Sequence, residues 1–369
     1  MHDRPREEVK ASVAECRAAG INVKMITGDH KTTATAIAET LGITKKGDEV
    51  LDGNDLNNIT DEELVKKVSS VNVFARVSPE HKVRIVTAIK SAGNIVAMTG
   101  DGVNDAPSLK KADIGIAMGI TGTDVSKEAA DMILTDDNFV SIVNAVEQGR
   151  TIYGNIRKVT GYLLGCNVGE ILIILLAILF GWPVPLVATQ LLFVNLLTDA
   201  FPAFALGMEG KERGIMRRKP RNPKEAIING SMMKSVIIRA VFLCISALGA
   251  FLYGLFAVQV PDGADQHILA MSMCFFTLVA AELLVVYPSK SEVSLGFRNI
   301  FKNGFLNISM IASLGILVAL MYVPVLNTLF TTVPLSATQV IICLLLVAFS
   351  IIGFEVSKMN SGKSQNSDT

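Results

Sequence analysis

Two patterns of apolar and polar positions divide the chain. Over residues 1 to about 158, short apolar runs alternate with stretches whose apolar residues recur at helical spacing. This predicts a parallel α/β domain. Strands are expected at Asn22–Ile26, Asn72–Val77, Asn94–Met98, Ile114–Ala117 and Met132–Leu134. Helices are expected in "REEVKASVAECRAAG", "TTATAIAETLG" and "PEHKVRIVTAIKSAG", with glycine as a stop signal. From about residue 159 the apolar runs lengthen to roughly 20 residues, enough to cross a bilayer. Six spans are predicted, near Val159–Leu179, Ala188–Leu206, Val236–Val258, His267–Tyr287, Phe305–Pro324 and Leu335–Glu355. The polar tail Ser357–Thr369 is expected to be disordered. The predicted domains are therefore 1–158, 159–356 and 357–369.

Loop charges give an orientation. The loop after the second span carries Lys211, Arg213, Arg217, Arg218, Lys219, Arg221 and Lys224, and the loop after the fourth carries Lys290, Arg298 and Lys302. The loops after the first, third and fifth carry neither Lys nor Arg. By the positive-inside rule, both termini and the whole soluble half are expected in the cytoplasm. The absence of KDEL and HDEL endings points to a bacterial cell membrane. Overall charge is zero, so nothing suggests a nucleic-acid partner. The five cysteines form no CxxC or Cys/His cluster, and the four within apolar runs read as packing.

Polar residues inside spans stand out against this background. "GCNVGEILIILL" puts Asn167 and Glu170 on one face of the first span, and "FVNLLTDAFPAFALG" puts Asn195, Thr198 and Asp199 on one face of the second. Glu282 is a lone carboxylate in the fourth. A carboxylate in a span costs several kcal/mol without a partner or a cation. Three of them, with amide and hydroxyl oxygens nearby, suit a hard cation. Pro202 should free backbone carbonyls beside Asp199. For Asn167, Asn195 or Thr198 taken singly, an interhelical hydrogen bond is an equal reading.

In the soluble half, the turns "MITGDHKTT" and "AMTGDGVNDAPSL" both fall at expected C-terminal strand ends, where α/β sheets bind ligands. Backbone N–H groups and the Thr27 hydroxyl could hold phosphate oxygens, and the acids could hold Mg²⁺. Lys82 opens the helix after "VFARVSP" and could aim a cation at the same pocket.

"MITGD", "FARVSPEHK", "MTGDGVNDAPSLKKADIGIAMG" and "DDNFVSIVNAVEQGRTIYGNIRK" resemble the phosphorylation domain of P-type cation-transporting ATPases. The similarity is strong over residues 1 to 230 and looser to about 356. It implies a partial haloacid-dehalogenase-like, Rossmann-like α/β cytosolic domain, followed by an all-α bundle of six transmembrane helices. It also implies aspartyl-phosphate chemistry with ATP and Mg²⁺. Thr27 and Gly28 would hold phosphate oxygens, Lys82 would neutralise phosphoryl charge, and Asp101 would hold Mg²⁺. Asn104 would contact the phosphoryl group, Asp105 would support its loop, and Asp29 would lie near the domain hinge. "NVGE" and "NLLTD" look like the calcium pumps of sarco/endoplasmic-reticulum type. By that resemblance Asn167, Glu170, Thr198, Asp199 and Glu282 form one Ca²⁺ site, and Asn195 with Asp199 form part of a second.

The sequence contains no "DKTGT" nucleophile motif, no nucleotide-binding domain and no "TGES" loop. The chain is therefore expected to be inactive alone, with the N-terminal part of a pump, membrane lipid and the transported cation as partners. Alternatives are a non-catalytic membrane cation-binding or regulatory protein, a Na⁺- or Mn²⁺-type pump fragment, and an anchored dehalogenase-class phosphatase, which the missing first motif disfavours.

Overall fold

The computed structural model describes residues 7–259, 265–291 and 303–365. Arg298 and Lys302, counted in the loop charges, lie outside them. The chain divides into two compact units: residues 1–151 with 211–225, and residues 152–210 with 226–369. The division falls near the expected 158. The segment 211–225, expected as a loop of the membrane half, instead belongs to the first unit.

The first unit begins with α1 (Glu7–Ala18), β1 (Met25–Ile26), α2 (Lys31–Leu41), β2 (Val50–Asp52), α3 (Gly53–Asn58), α4 (Asp61–Lys67) and β3 (Val73–Ala75). It continues with α5 (Pro79–Ser91), β4 (Ala97–Gly100), α6 (Ala106–Lys111), β5 (Ile114–Met118), α7 (Asp124–Ala129) and β6 (Met132–Leu134). All strand pairs are parallel, in two three-stranded sheets of order β1-β3-β2 and β4-β5-β6. The five expected strands are present. β2 escaped the sequence reading because its apolar core is two residues, Val50 and Leu51, set among acids.

Strand β3 explains the layering. Val73 and Ala75 join Val13, Ala34 and Ala38 in one apolar cluster, while Phe74, between them, joins Leu51, Leu64 and Ile85 in another. Alternate residues of a strand point to opposite faces, so helices cover both sides, as a parallel sheet requires. Helix ends follow their local chemistry. The Ser78 hydroxyl accepts from the His81 N–H at 3.3 Å with Pro79 at the first position of α5, and Gly42 closes α2 at φ +75°.

The 211–225 segment packs Ile215 and Met216 against Cys16, Ala19 and Val143. The Arg150 guanidinium donates to the carbonyls of Ile215 (3.0 Å), Arg218 (2.8 Å) and Ala19 (2.8 Å). A Cβ at Gly20 would lie 2.6 Å from Pro220 Cδ, so glycine permits the close approach. The basic run is thus partly a tertiary structural element, which local charge alone does not reveal.

Helix α8 (Phe139–Leu179) runs unbroken for 41 residues, so the first span extends a helix that starts well before Val159. The second span is broken into α9 (Ala188–Phe193), a π-helical turn over Val194–Thr198, and α10 (Ala200–Gly207). Then come α11 (Gly230–Phe256), α12 (Gln266–Ser289), α13 (Gly304–Tyr322), α14 (Pro324–Phe330) and α15 (Ala337–Gln365). Six helices are long and apolar enough to cross a membrane among the described residues, matching the six predicted spans. α15 continues to Gln365, into the tail expected to be disordered.

Small residues set the helix contacts. Gly161, Gly165 and Gly169 form a stripe at four-residue spacing on α8. Cβ atoms there would lie 3.4 Å from Met232 Cε, 2.6 Å from Arg239 Cδ and 3.4 Å from Leu243 Cβ, all on α11. α12 is enclosed by its neighbours along most of its length. A polar group on it therefore sits in the middle of the bundle.

Candidate functional site

The first candidate site lies at the C-terminal ends of β1 and β4. Thr27 follows β1: its N–H donates to the Phe74 carbonyl (2.9 Å), and its own carbonyl accepts from the Val77 N–H (3.2 Å). The turn is thereby docked on the end of β3. The Thr27 hydroxyl donates to Asp29 Oδ2 (2.9 Å) and accepts from the Asp29 N–H (3.1 Å). Asp29 thus orients Thr27. Gly28 and Asp29 are exposed, and a Cβ at Gly28 would meet nothing within 4 Å.

Lys82, in the first turns of α5, reaches the loop after β4. Its Nζ is 2.5 Å from Asp105 Oδ1, with side-chain exposures of 20% and 7%. Asp105 Oδ2 accepts from the N–H groups of Asp101 and Gly102, both at 3.3 Å. The Asp101 carbonyl accepts from the Thr123 N–H (2.9 Å) and the Ser126 hydroxyl (3.1 Å). The backbone at Asp101 is held from two sides while the residue itself remains exposed. Asn104 is also exposed. A Cβ at Gly100 would fall 2.5 Å from Asp105 Cβ, so glycine lets the Asp105 side chain fold back under its loop.

The structure thus brings together Lys82, Asp101 and Asp105 in one contact network, and Thr27 with Asp29 in another. The two are linked by packing: Ile26 of β1 shares an apolar cluster with Val86 and Met98. Both β1 and β4 are outer strands of their sheets. An outer strand presents unpaired N–H and C=O groups on one side. The Asp101 side chain is exposed, and the Lys82 ammonium is paired with Asp105 instead.

The second site is in the membrane bundle. The π-turn sets it up: the Asp199 N–H donates to the Val194 carbonyl five residues back (3.0 Å). Pro202 follows and has no N–H to give to the Thr198 carbonyl. Asn195 Nδ2 then donates to Glu170 Oε2 of α8 at 2.9 Å and to the Leu191 carbonyl at 3.0 Å. The Tyr162 hydroxyl donates to Asp199 Oδ1 (3.1 Å) and lies 3.4 Å from the Glu282 carbonyl. The Thr198 hydroxyl donates to the Val194 carbonyl at 2.9 Å. Cys166 Sγ, an Asp199 oxygen and a Glu282 oxygen all lie within 4.8 Å of one another.

Glu170, Asp199 and Glu282 are all buried. Glu170 Oε1, Asp199 Oδ2 and both Glu282 carboxyl oxygens have no hydrogen-bond partner. Unpartnered buried carboxylate oxygens are costly unless a proton or a cation satisfies them. Of the six expected residues, Asp199 and Glu282 meet beside Cys166, Glu170 is joined to the π-turn through Asn195, and Thr198 lies next to Asp199 with its hydroxyl bonded within its own helix. Asn167 is half-buried and makes none of the hydrogen bonds just described.

Two residues of the site were not anticipated. Tyr162 and Cys166, the latter read as packing, share a face of α8 with Glu170 at four-residue spacing. That spacing was the available signal. Lys290, counted among the loop cations, is buried and paired with Glu209 at 3.3 Å.

Comparison with known proteins finds relatives for both parts of the chain. Residues 1–113 match the haloacid dehalogenase-like hydrolase family, and residues 183–360 match the family described as cation transporting ATPase, C-terminus. The chain is 47% identical over 334 residues to a calcium-transporting ATPase of Bacillus subtilis, covering 90% of the chain and 37% of that protein. It is 45% identical over 372 residues to calcium-transporting ATPase 1 of Bacillus cereus, covering 97% of the chain and 42% of that protein. It is 40% identical over 354 residues to the cation-transporting ATPase pma1 of Synechocystis, covering 94% of the chain and 38% of that protein. The chain thus spans about two fifths of the length of these relatives, and it belongs to the P-type cation-transporting ATPases, corresponding to their C-terminal part.

Proposed function

We propose that this chain supplies the cation-binding helices and half of the phosphoryl pocket of an ATP-driven calcium pump, a multi-pass protein of the cell membrane with its termini in the cytoplasm. The observation that carries this reading is that Asp199 and Glu282 meet, and Glu170 is tied to the same π-turn by Asn195, all three with unpartnered buried oxygens and from three different spans. The carboxylates, amide, hydroxyl and freed carbonyl offer oxygens that suit a hard divalent cation, with the Cys166 sulfur beside them.

The chemistry follows from placement. Phosphoryl transfer needs positioned groups and charge neutralisation. Lys82 brings positive charge, held by Asp105; Thr27, aimed by Asp29, would offer its hydroxyl to phosphate oxygens; Asn104 is exposed on the loop that carries Asp101 and Asp105. Asp101 would hold Mg²⁺, which neutralises phosphate charge when bound. The sequence carries no DKTGT aspartate. The open outer edges of β1 and β4 suit a parallel strand bearing that aspartate from the N-terminal part of a pump.

The test is reconstitution. The purified chain alone should show no Ca²⁺-stimulated, vanadate-sensitive ATP hydrolysis. Joined to a segment carrying DKTGT and a nucleotide-binding domain, it should gain it. Activity from the chain alone would overturn the reading. A non-catalytic cation-binding role is favoured instead if Ca²⁺ binds the chain and reconstitution yields no turnover. Stimulation by Na⁺ or Mn²⁺ in preference to Ca²⁺ would reassign the ion.

A further inference from the structure

At the end of the bundle where α11 begins and α12 and α15 end, a cavity of about 410 Å³ opens between these helices and α8. Its lining includes five basic residues, Arg157, Lys158, Lys234, Arg239 and Lys358, and no Asp or Glu, although Lys358 is already paired with Glu355 at 3.8 Å and bonded to the Pro288 and Ser291 carbonyls. It also takes in the first turn of α11, a 27-residue helix whose N-terminal end is electropositive.

Arg239 marks the cavity as a built site. It is only 5% exposed. Its Nη1 donates to the Gly161 carbonyl at 2.6 Å, and its guanidinium lies 4.6 Å from the centre of the Phe354 ring. Gly165 leaves room for its stem, since a Cβ there would collide with Cδ at 2.6 Å. With its position fixed this way, its Nε is left without a hydrogen-bond partner. A cavity lined with cations and hydroxyls, against a buried guanidinium that the protein leaves partly unpartnered, calls for an anion with several acceptor oxygens. A phosphate group meets that need.

The surroundings favour a lipid as its carrier. Beside Arg157 on α8 stands exposed Ile156; beside Lys234 on α11 stand exposed Met233 and Ile237; before Lys358 on α15 stand exposed Ile352 and Val356. A free anion gains nothing from apolar side chains around its pocket. An anionic phospholipid places its headgroup phosphate in the cavity and its acyl chains along these faces. We propose that this cavity is a binding site for the headgroup of an anionic phospholipid. It uses none of the residues of the phosphoryl pocket or the cation site, so it stands apart from the proposed transport.

Native mass spectrometry of the full chain in neutral detergent tests this, with phosphatidylglycerol and phosphatidylcholine of matched acyl chains as probes. One phosphatidylglycerol per chain should be retained in clear preference to phosphatidylcholine. Lys234→Gln and Arg157→Gln should each weaken retention about fivefold, the value expected for one basic residue near an anionic surface. Lys234 is exposed, so its replacement keeps the test valid if the Arg157 variant fails to fold. Equal retention of the two lipids, or retention unchanged in Lys234→Gln, would overturn the proposal. Displacement of the bound lipid by a modest excess of inorganic phosphate or glycerol 3-phosphate would overturn the lipid assignment in favour of a soluble anion.

Discussion

Asn195 Nδ2 lies 2.9 Å from Glu170 Oε2, tying the π-turn of the second span to the carboxylate of α8. The bond uses one Glu170 oxygen and leaves Oε1 without a partner. Asn195 thus fixes the carboxylate without satisfying it, the condition a cation site needs. Equilibrium Ca²⁺ binding to the chain should weaken by roughly 10- to 100-fold in Asn195→Ala, as for loss of other ligand-orienting partners. Isothermal titration would measure it, and unchanged affinity would remove Asn195 from the site.

Glu282 stands on the most enclosed helix, with both carboxyl oxygens unpartnered. Glu282→Gln should abolish Ca²⁺ binding yet leave the bundle folded. A neutral amide is cheaper to bury than a charge, so the melting temperature without Ca²⁺ should hold or rise. A fall of many degrees would point to a structural role instead.

The Lys82–Asp105 pair is the main fastening of the second Thr-Gly-Asp turn. Asp105→Ala would leave a largely buried ammonium and two unpaired N–H groups, those of Asp101 and Gly102. The expected cost is about 2–4 kcal/mol in the first unit, read by urea denaturation of that unit's signal. Gly100→Ala should destabilise the same loop by about 1–3 kcal/mol, because its Cβ would fall 2.5 Å from Asp105 Cβ.

Asp137 supplies a pH dependence outside the spans. Desolvation pushes its carboxyl up, but bonds from the N–H groups of Ile120, Thr121 and Gly119 and from the Thr121 hydroxyl outweigh this and hold it at about 2. Its folded value is below the ordinary 3.8. Its stabilisation is therefore complete above about pH 4 and is lost as pH falls toward 2. Asp137 sits at φ +47°, which asparagine tolerates, so Asp137→Asn removes the charge with little backbone change. Thermal melts between pH 2 and 5 should show a shallower acid limb in the variant.

The sequence by itself determined the division into a charged α/β part and six spans, because period and run length are local properties. It placed both Thr-Gly-Asp turns at strand ends and put the intramembrane acids on single helical faces. Tertiary structure alone decided the rest. Tyr162 and Cys166 become site residues only when α10 and α12 pack against their face of α8. The basic run 211–225 becomes a structural element because Arg150 gathers three carbonyls around it. Arg239 would read as one more charge at the start of a span. Its buried, half-satisfied guanidinium exists because a glycine on one helix and an aromatic ring on another leave it that position and no other partner. Such groups are defined by what distant residues withhold, and spacing along a chain carries no record of that.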